Sequence, residues 1–201
     1  MAKQLPRLFA LLVVALAGYQ VVRGVEGLNP FITVFATIAF GVLVIAGVVI
    51  LIMGPDLLGS PWVATASSII PLSLAAGMVN HYIPQYTRAY MAFALIGLTA
   101  IIVSRFFSGS RPVQTATLAI VHALAGGLIV VIPILLSVQG KAPPLLVLVS
   151  LGGILMGLAG MLLGLFPTGR LKISKETHYS VVMAILALST LLFVVGSRVS
   201  H

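Results

Sequence analysis

Seven long apolar runs limit this chain more than any other feature. They span residues 8–22, 31–53, 62–79, 89–103, 113–137, 145–166 and 179–197, and none contains an Asp, Glu, Lys or Arg. A helix needs about 17–25 such residues to cross roughly 30 Å of hydrocarbon, and most of the runs reach that length. Lipid offers no water to satisfy backbone N–H and C=O groups, so runs of this length must form helices. The breaks between them hold Asn29-Pro30, Gly54-Pro55-Asp56, Gly59-Ser60-Pro61, Pro84, Ser110-Arg111-Pro112, Pro143-Pro144 and Pro167-Thr168-Gly169. All of these are turn or helix-start chemistry. The pattern predicts an all-α, polytopic integral membrane bundle of about seven helices in one domain, 1–201.

Composition excludes the alternatives. Charged residues make up 7% of the chain, against about 25% in a soluble domain. With no cysteine there is no disulfide scaffold, thiolate zinc site or iron–sulfur cluster. The net charge of +8 does not form a basic face of the kind that neutralises phosphates, so no nucleic acid is expected as a partner. The basic residues sit between the apolar runs, where a membrane protein keeps its topogenic charges.

Two runs need arbitration. Lys3 and Arg7 before an apolar run ending near Ala15-Leu16-Ala17 resemble a signal peptide with an A-x-A site, yet an uncleaved first helix is the expectation. The third run carries Thr65, Ser67, Ser68, Ser73 and Pro71, so a re-entrant segment would leave six crossings. Charge counting decides for seven. The N-terminal side then collects Lys3, Arg7, Arg105, Arg111, Arg170, Lys172 and Lys175, and the other side Arg23, Arg88, Lys141 and Arg198. That bias predicts a cell (plasma) membrane protein with a cytoplasmic N-terminus and an outside C-terminus. It also assigns Tyr82, Tyr86 and Tyr90 to an outer interfacial belt, with Phe106 and Phe107 near the inner interface. A shift of 113 residues matches Gly27 with Gly140, Pro30 with Pro143 and Ala46-Gly47 with Ala159-Gly160. Such matches suggest two three-helix units around a central fourth helix, although so biased a composition gives matches of this number by chance.

The chemistry-bearing residues are few. His122 is the one ionisable side chain deep in a run, and an intramembrane ionisable group is a functional hypothesis by default. With Gln114, Thr117 and Asn80 it is a candidate lining of a polar cavity, and the bland reading is ordinary interhelical hydrogen bonding. Bis-histidine ligation of a b-type haem needs two histidines at one depth; His122 and His178 are the candidates and differ by about 13 Å. No cofactor and no metal site is therefore expected. Paired carboxylates for acid–base work are missing, as is any GxSxG-like turn, so no catalytic residue is assigned. Gly153, Gly157, Gly160 and Gly164 are spaced four, three and four. They share one helix face suited to close backbone approach, either within the bundle or with another subunit. Arg170, Lys172 and Lys175 lie in a loop able to meet anionic lipid headgroups.

Residues 148–196 resemble the end of an uncharacterised family of small multi-pass membrane proteins of archaea and bacteria. The resemblance rests on a glycine-rich helix running into Gly164-Leu165-Phe166-Pro167-Thr168-Gly169, then His178 and a final apolar helix. It implies a membrane location and assigns no activity. The reading that follows is a non-enzymatic membrane protein, an accessory or scaffolding subunit or a homo-oligomer, with the bilayer and other subunits or itself as partners. The alternatives are a transporter or channel for a small neutral or weakly polar solute, and a haem- or quinone-linked redox subunit using His122.

Overall fold

A computed structural model of the chain describes residues 4–24, 30–108, 110–166 and 172–198. It holds seven α-helices: α1 Leu5–Arg23, α2 Pro30–Met53, α3 Pro61–Tyr82, α4 Thr87–Val103, α5 Arg111–Val138, α6 Val147–Leu165 and α7 Lys175–Gly196. Counting the short helical turns that flank α4 and α6, all seven are long and apolar enough to span a membrane. No strand occurs among the described residues. The protein is an all-helical, multi-pass membrane bundle.

Local chemistry sets the helix ends. Pro6, Pro61 and Pro112 stand in the first turns of α1, α3 and α5, where the missing N–H costs nothing. Ser60 and Ser174 cap α3 and α7, each accepting a backbone N–H three residues on, at 3.2 and 3.1 Å. Gly24, Gly54 and Gly140 follow α1, α2 and α5 with φ of 67°, 94° and 65°. These are left-handed conformations that a side chain would strain.

Six of the helices close a ring. α1, α2 and α3 pack in sequence, as do α5, α6 and α7; α3 against α5 and α7 against α1 complete the circuit. α4 is not the central helix that the repeat suggested: it lies outside, packed on α3 and α5. The 113-residue offset reappears in the helix bounds. Adding it to α2 and α3 gives 143–166 and 174–195, beside the spans Pro144–Leu165 and Lys175–Gly196. Adding it to α1 gives 118–136, within α5. Matching helices thus have matching neighbours in the ring.

The third run forms one helix along the full length of the bundle, long and apolar enough to cross. Trp62, near the start of α3, packs on Phe106 beyond the end of α4, with ring centroids 4.5 Å apart. At the other end the Asn80 amide donates to Thr87 Oγ1 at 3.3 Å, where α4 begins. The ends of α3 therefore lie at opposite ends of α4, which rules out a re-entrant loop. Over its most apolar stretch α3 is 56% buried, against 22–44% for the other six helices, so its hydroxyl-rich face turns to protein.

Packing and interhelical hydrogen bonds hold the ring, because lipid gives apolar side chains no reason to leave it. A methyl group on Gly47 would stand 2.6 Å from Val14 Cγ2 and 3.3 Å from the Ala10 carbonyl of α1. On Gly77 it would meet Ile32 of α2 at 2.9 Å, and on Gly196 the Val149 backbone nitrogen of α6 at 2.9 Å. Ser150 Oγ donates to the Val130 carbonyl at 2.7 Å, one turn before Pro133, and Ser189 Oγ to the Gly152 carbonyl at 2.6 Å. Tyr90 departs from the expected aromatic belt. It is buried and donates its hydroxyl to the Leu72 carbonyl at 3.0 Å, tying α4 to α3. Tyr86 is exposed and Tyr82 half-buried.

Candidate functional site

The four residues proposed to line a polar cavity do not converge. Gln114, Thr117 and His122 follow one another along the first half of α5, next to the end of α4. Asn80 lies beside Thr87 at the start of α4, a helix of 17 residues, and hence roughly 25 Å along the bundle from Gln114 and about half that from His122. His122 is half-buried, and its Nδ1 lies 3.0 Å from the Leu118 carbonyl of its own helix. Nδ1 therefore carries the proton, and Nε2 of the neutral ring is an acceptor.

The two histidines of the haem alternative also stand apart. His178 lies three residues into α7, buried and stacked on Phe166 with centroids 4.1 Å apart and planes at 10°. Its Nε2 has no hydrogen-bond partner among the described residues. His122 lies eleven residues into α5, about 12 Å deeper by helical rise. Of the three loop cations, Arg170 lies outside the described residues. Lys172 is exposed. Lys175 Nζ is 3.0 Å from Asp56 Oδ1 and 5.8 Å from the centre of the Tyr179 ring, so it meets protein groups. This pair borders a polar depression of about 430 Å³ that also takes in Arg7 and Glu176. Both acidic residues of the described chain, Asp56 and Glu176, are at this end.

The glycine stripe of α6 has two parts. A methyl on Gly153 would stand 3.0 Å from Ile129 Cγ2 and 3.3 Å from Val130 Cγ2, so this is the face α6 turns to α5. Further along that face the helices part. A methyl on Gly157, Gly160 or Gly164 would have no neighbour within 4 Å, and all three glycines are exposed. On α5 the face of Ile129 continues at helical spacing through Gly126, His122 and Ala119. Gly126 has equally open space. The result is a cleft between α5 and α6 with backbone accessible on both walls. In the first unit the equivalent of Gly160 is Gly47, and there Val14 and Ala10 of α1 fill the place.

A second opening, the axial cavity, lies inside the ring between α2, α3, α6 and α7. A half-open cavity of about 220 Å³ is lined by Ile32, Ala36 and Phe40 of α2, Leu74 and Met78 of α3, Val149 of α6 and Phe193 of α7. His81, Tyr82, Lys141 and Ser197 form its mouth, where α3, α5 and α7 end and α2 and α6 begin. Phe40, ten residues into α2, lies about 15 Å down. None of His122, Gln114, Thr117 and Asn80 lines this cavity. Its lining was not legible in the sequence, since each wall residue reads there as one more apolar residue of a span. Lys141, beside Pro143-Pro144, was the nearest signal. Among the described residues no three His, Asp or Glu side chains gather as a metal site would require.

Comparison with protein-family models, with curated proteins and with solved structures yields no match to this chain.

Proposed function

We propose that this membrane protein is a non-enzymatic subunit that associates within the bilayer through the α5–α6 cleft, with a second copy of itself or another helical subunit. The observation that carries the reading is the open space at Gly157, Gly160 and Gly164. Helices in lipid gain stability by close backbone approach at small residues. Here such a face is built and left uncovered, while its counterpart in the first unit is closed by α1. His122 Nε2, in the cleft wall, supplies an acceptor for a polar group on an incoming helix. The absence of paired carboxylates in the described helices supports a role without acid–base catalysis.

The sorting of basic residues supports placement in the cell membrane with the N-terminus inside and the C-terminus outside. The resemblance over residues 148–196 supports membership of the uncharacterised small membrane-protein family named above.

The native chain lacks cysteine, so single-cysteine variants give a clean test. Gly160→Cys should form an oxidative cross-link of twice the chain mass in native membranes for self-association, the second thiol coming from the other copy, while a different partner should appear as a heavier particle by native mass spectrometry. Leu95→Cys, on the exposed side of α4, should not cross-link. No cross-link from Gly157→Cys, Gly160→Cys or Gly164→Cys, with a monomer alone by native mass spectrometry, would overturn the reading.

A further inference from the structure

We infer that the axial cavity is a binding site for an anionic single-chain amphiphile of the medium-chain carboxylate class, its alkyl chain inside and its head at Lys141. The inference does not rest on the association reading, because the cavity lies inside the ring and the α5–α6 cleft on its outside.

The cavity divides by chemistry along its depth. Its wall below the mouth is wholly apolar: Ile32, Ala36, Phe40, Met78, Val149 and Phe193 are each buried by the fold around it. Such walls offer a water molecule none of the two to four polar partners it needs, so they suit hydrocarbon. At about 220 Å³, and about 30 Å³ for each water-sized group, there is room for roughly seven chain atoms. That is one short alkyl chain, and too little for the paired tails of a bilayer lipid. The groups able to make polar contacts stand at the mouth, and Lys141 among them is exposed and cationic.

Charge at this end favours an anion. Arg23, Arg88, Lys141 and Arg198 all lie at the ends of helices on this side, where the sequence adds one acidic residue, Glu26 of the α1–α2 link, while Asp56 and Glu176 are at the opposite end. Arg198 is stacked over the Tyr19 ring at 4.7 Å, which leaves Lys141 as the cation at the rim. Because helix ends and the α5–α6 link form the mouth, the ligand enters from the aqueous side, chain first. This arrangement distinguishes a free carboxylate from a lipid reaching in sideways.

The test uses the full chain in lipid nanodiscs and octanoic acid carrying a diazirine near its methyl end. On illumination the label should map to peptides containing Phe40, Leu74 or Phe193, and excess octanoate, but not octanol, should compete. Lys141→Gln should reduce labelling about fivefold, which corresponds to about 1 kcal/mol for one cation near the surface. Ala36→Trp, which fills the cavity, should abolish it. Labelling confined to lipid-facing residues such as Ile45 or Leu95 would overturn the site. Equal competition by octanol, or labelling unchanged in Lys141→Gln, would overturn the anionic head. The wild-type map stands whether or not either variant folds.

Discussion

Two glycines in α6, adjacent in sequence and alike in chemistry, do different work. Gly152 faces α7: a methyl there would meet Phe193 Cδ1 at 2.9 Å and the Ser189 carbonyl at 3.1 Å. Gly153 begins the stripe that continues into open space. Gly152→Ala should therefore destabilise the single chain by about 1–3 kcal/mol through overpacking, while Gly160→Ala should stay within about 0.5 kcal/mol. Thermal unfolding in detergent, followed by the fluorescence of Trp62, separates the two; equal losses would show that α6 packs differently. The four-three-four spacing was legible and placed the stripe on one face. What that face meets was not, because small residues suit an internal contact and an external one equally well.

At the scale of the helix, proline and glycine made the boundaries readable. The run 31–53 became Pro30–Met53 and 113–137 became Arg111–Val138. α4 was the least well bounded, since its span extends into flanking turns from Pro84 to Phe107. Its tie to α3 could not be read from the sequence. Tyr90 looks like an interfacial aromatic by position, and only the fold supplies the Leu72 carbonyl 3.0 Å away. Tyr90→Phe should cost about 0.6 kcal/mol, and at most about 1.7, the range for hydrogen bonds between membrane helices. Chemical denaturation in mixed micelles would register it. No loss would mean that the bond is matched in the unfolded state. Charge counting favoured a crossing third run, and Trp62 and Asn80, meeting opposite ends of α4, show that α3 runs the length of that helix.

For the molecule as a whole, orientation is the property most open to test. Gln139→Cys, in the exposed link after α5, should react with a membrane-impermeant maleimide on intact cells, and Lys172→Cys only after permeabilisation. The reverse pattern would invert the assignment. The seven-helix architecture was available from hydropathy because lipid demands long apolar runs whatever they face. The same demand hid the axial cavity. In a bilayer the inside and the outside of a bundle are both apolar, so Ala36, Val149 and Phe193 carry no mark of pointing inward.

The outlying position of α4 has a consequence in parity. A unit of three helices enters on one side of a membrane and leaves on the other, so two such units joined directly would be upside down relative to each other. One extra crossing restores the sense. α4 supplies it, and having no counterpart in the other unit it needs no place in the ring. The two halves then run through the bundle in the same sense. Such an assembly has a top and a bottom that no internal symmetry exchanges. The apolar opening at Lys141 therefore differs from the depression at the other end, where Asp56, Lys175 and Glu176 gather. Whatever the molecule meets from solution, it meets with two different faces.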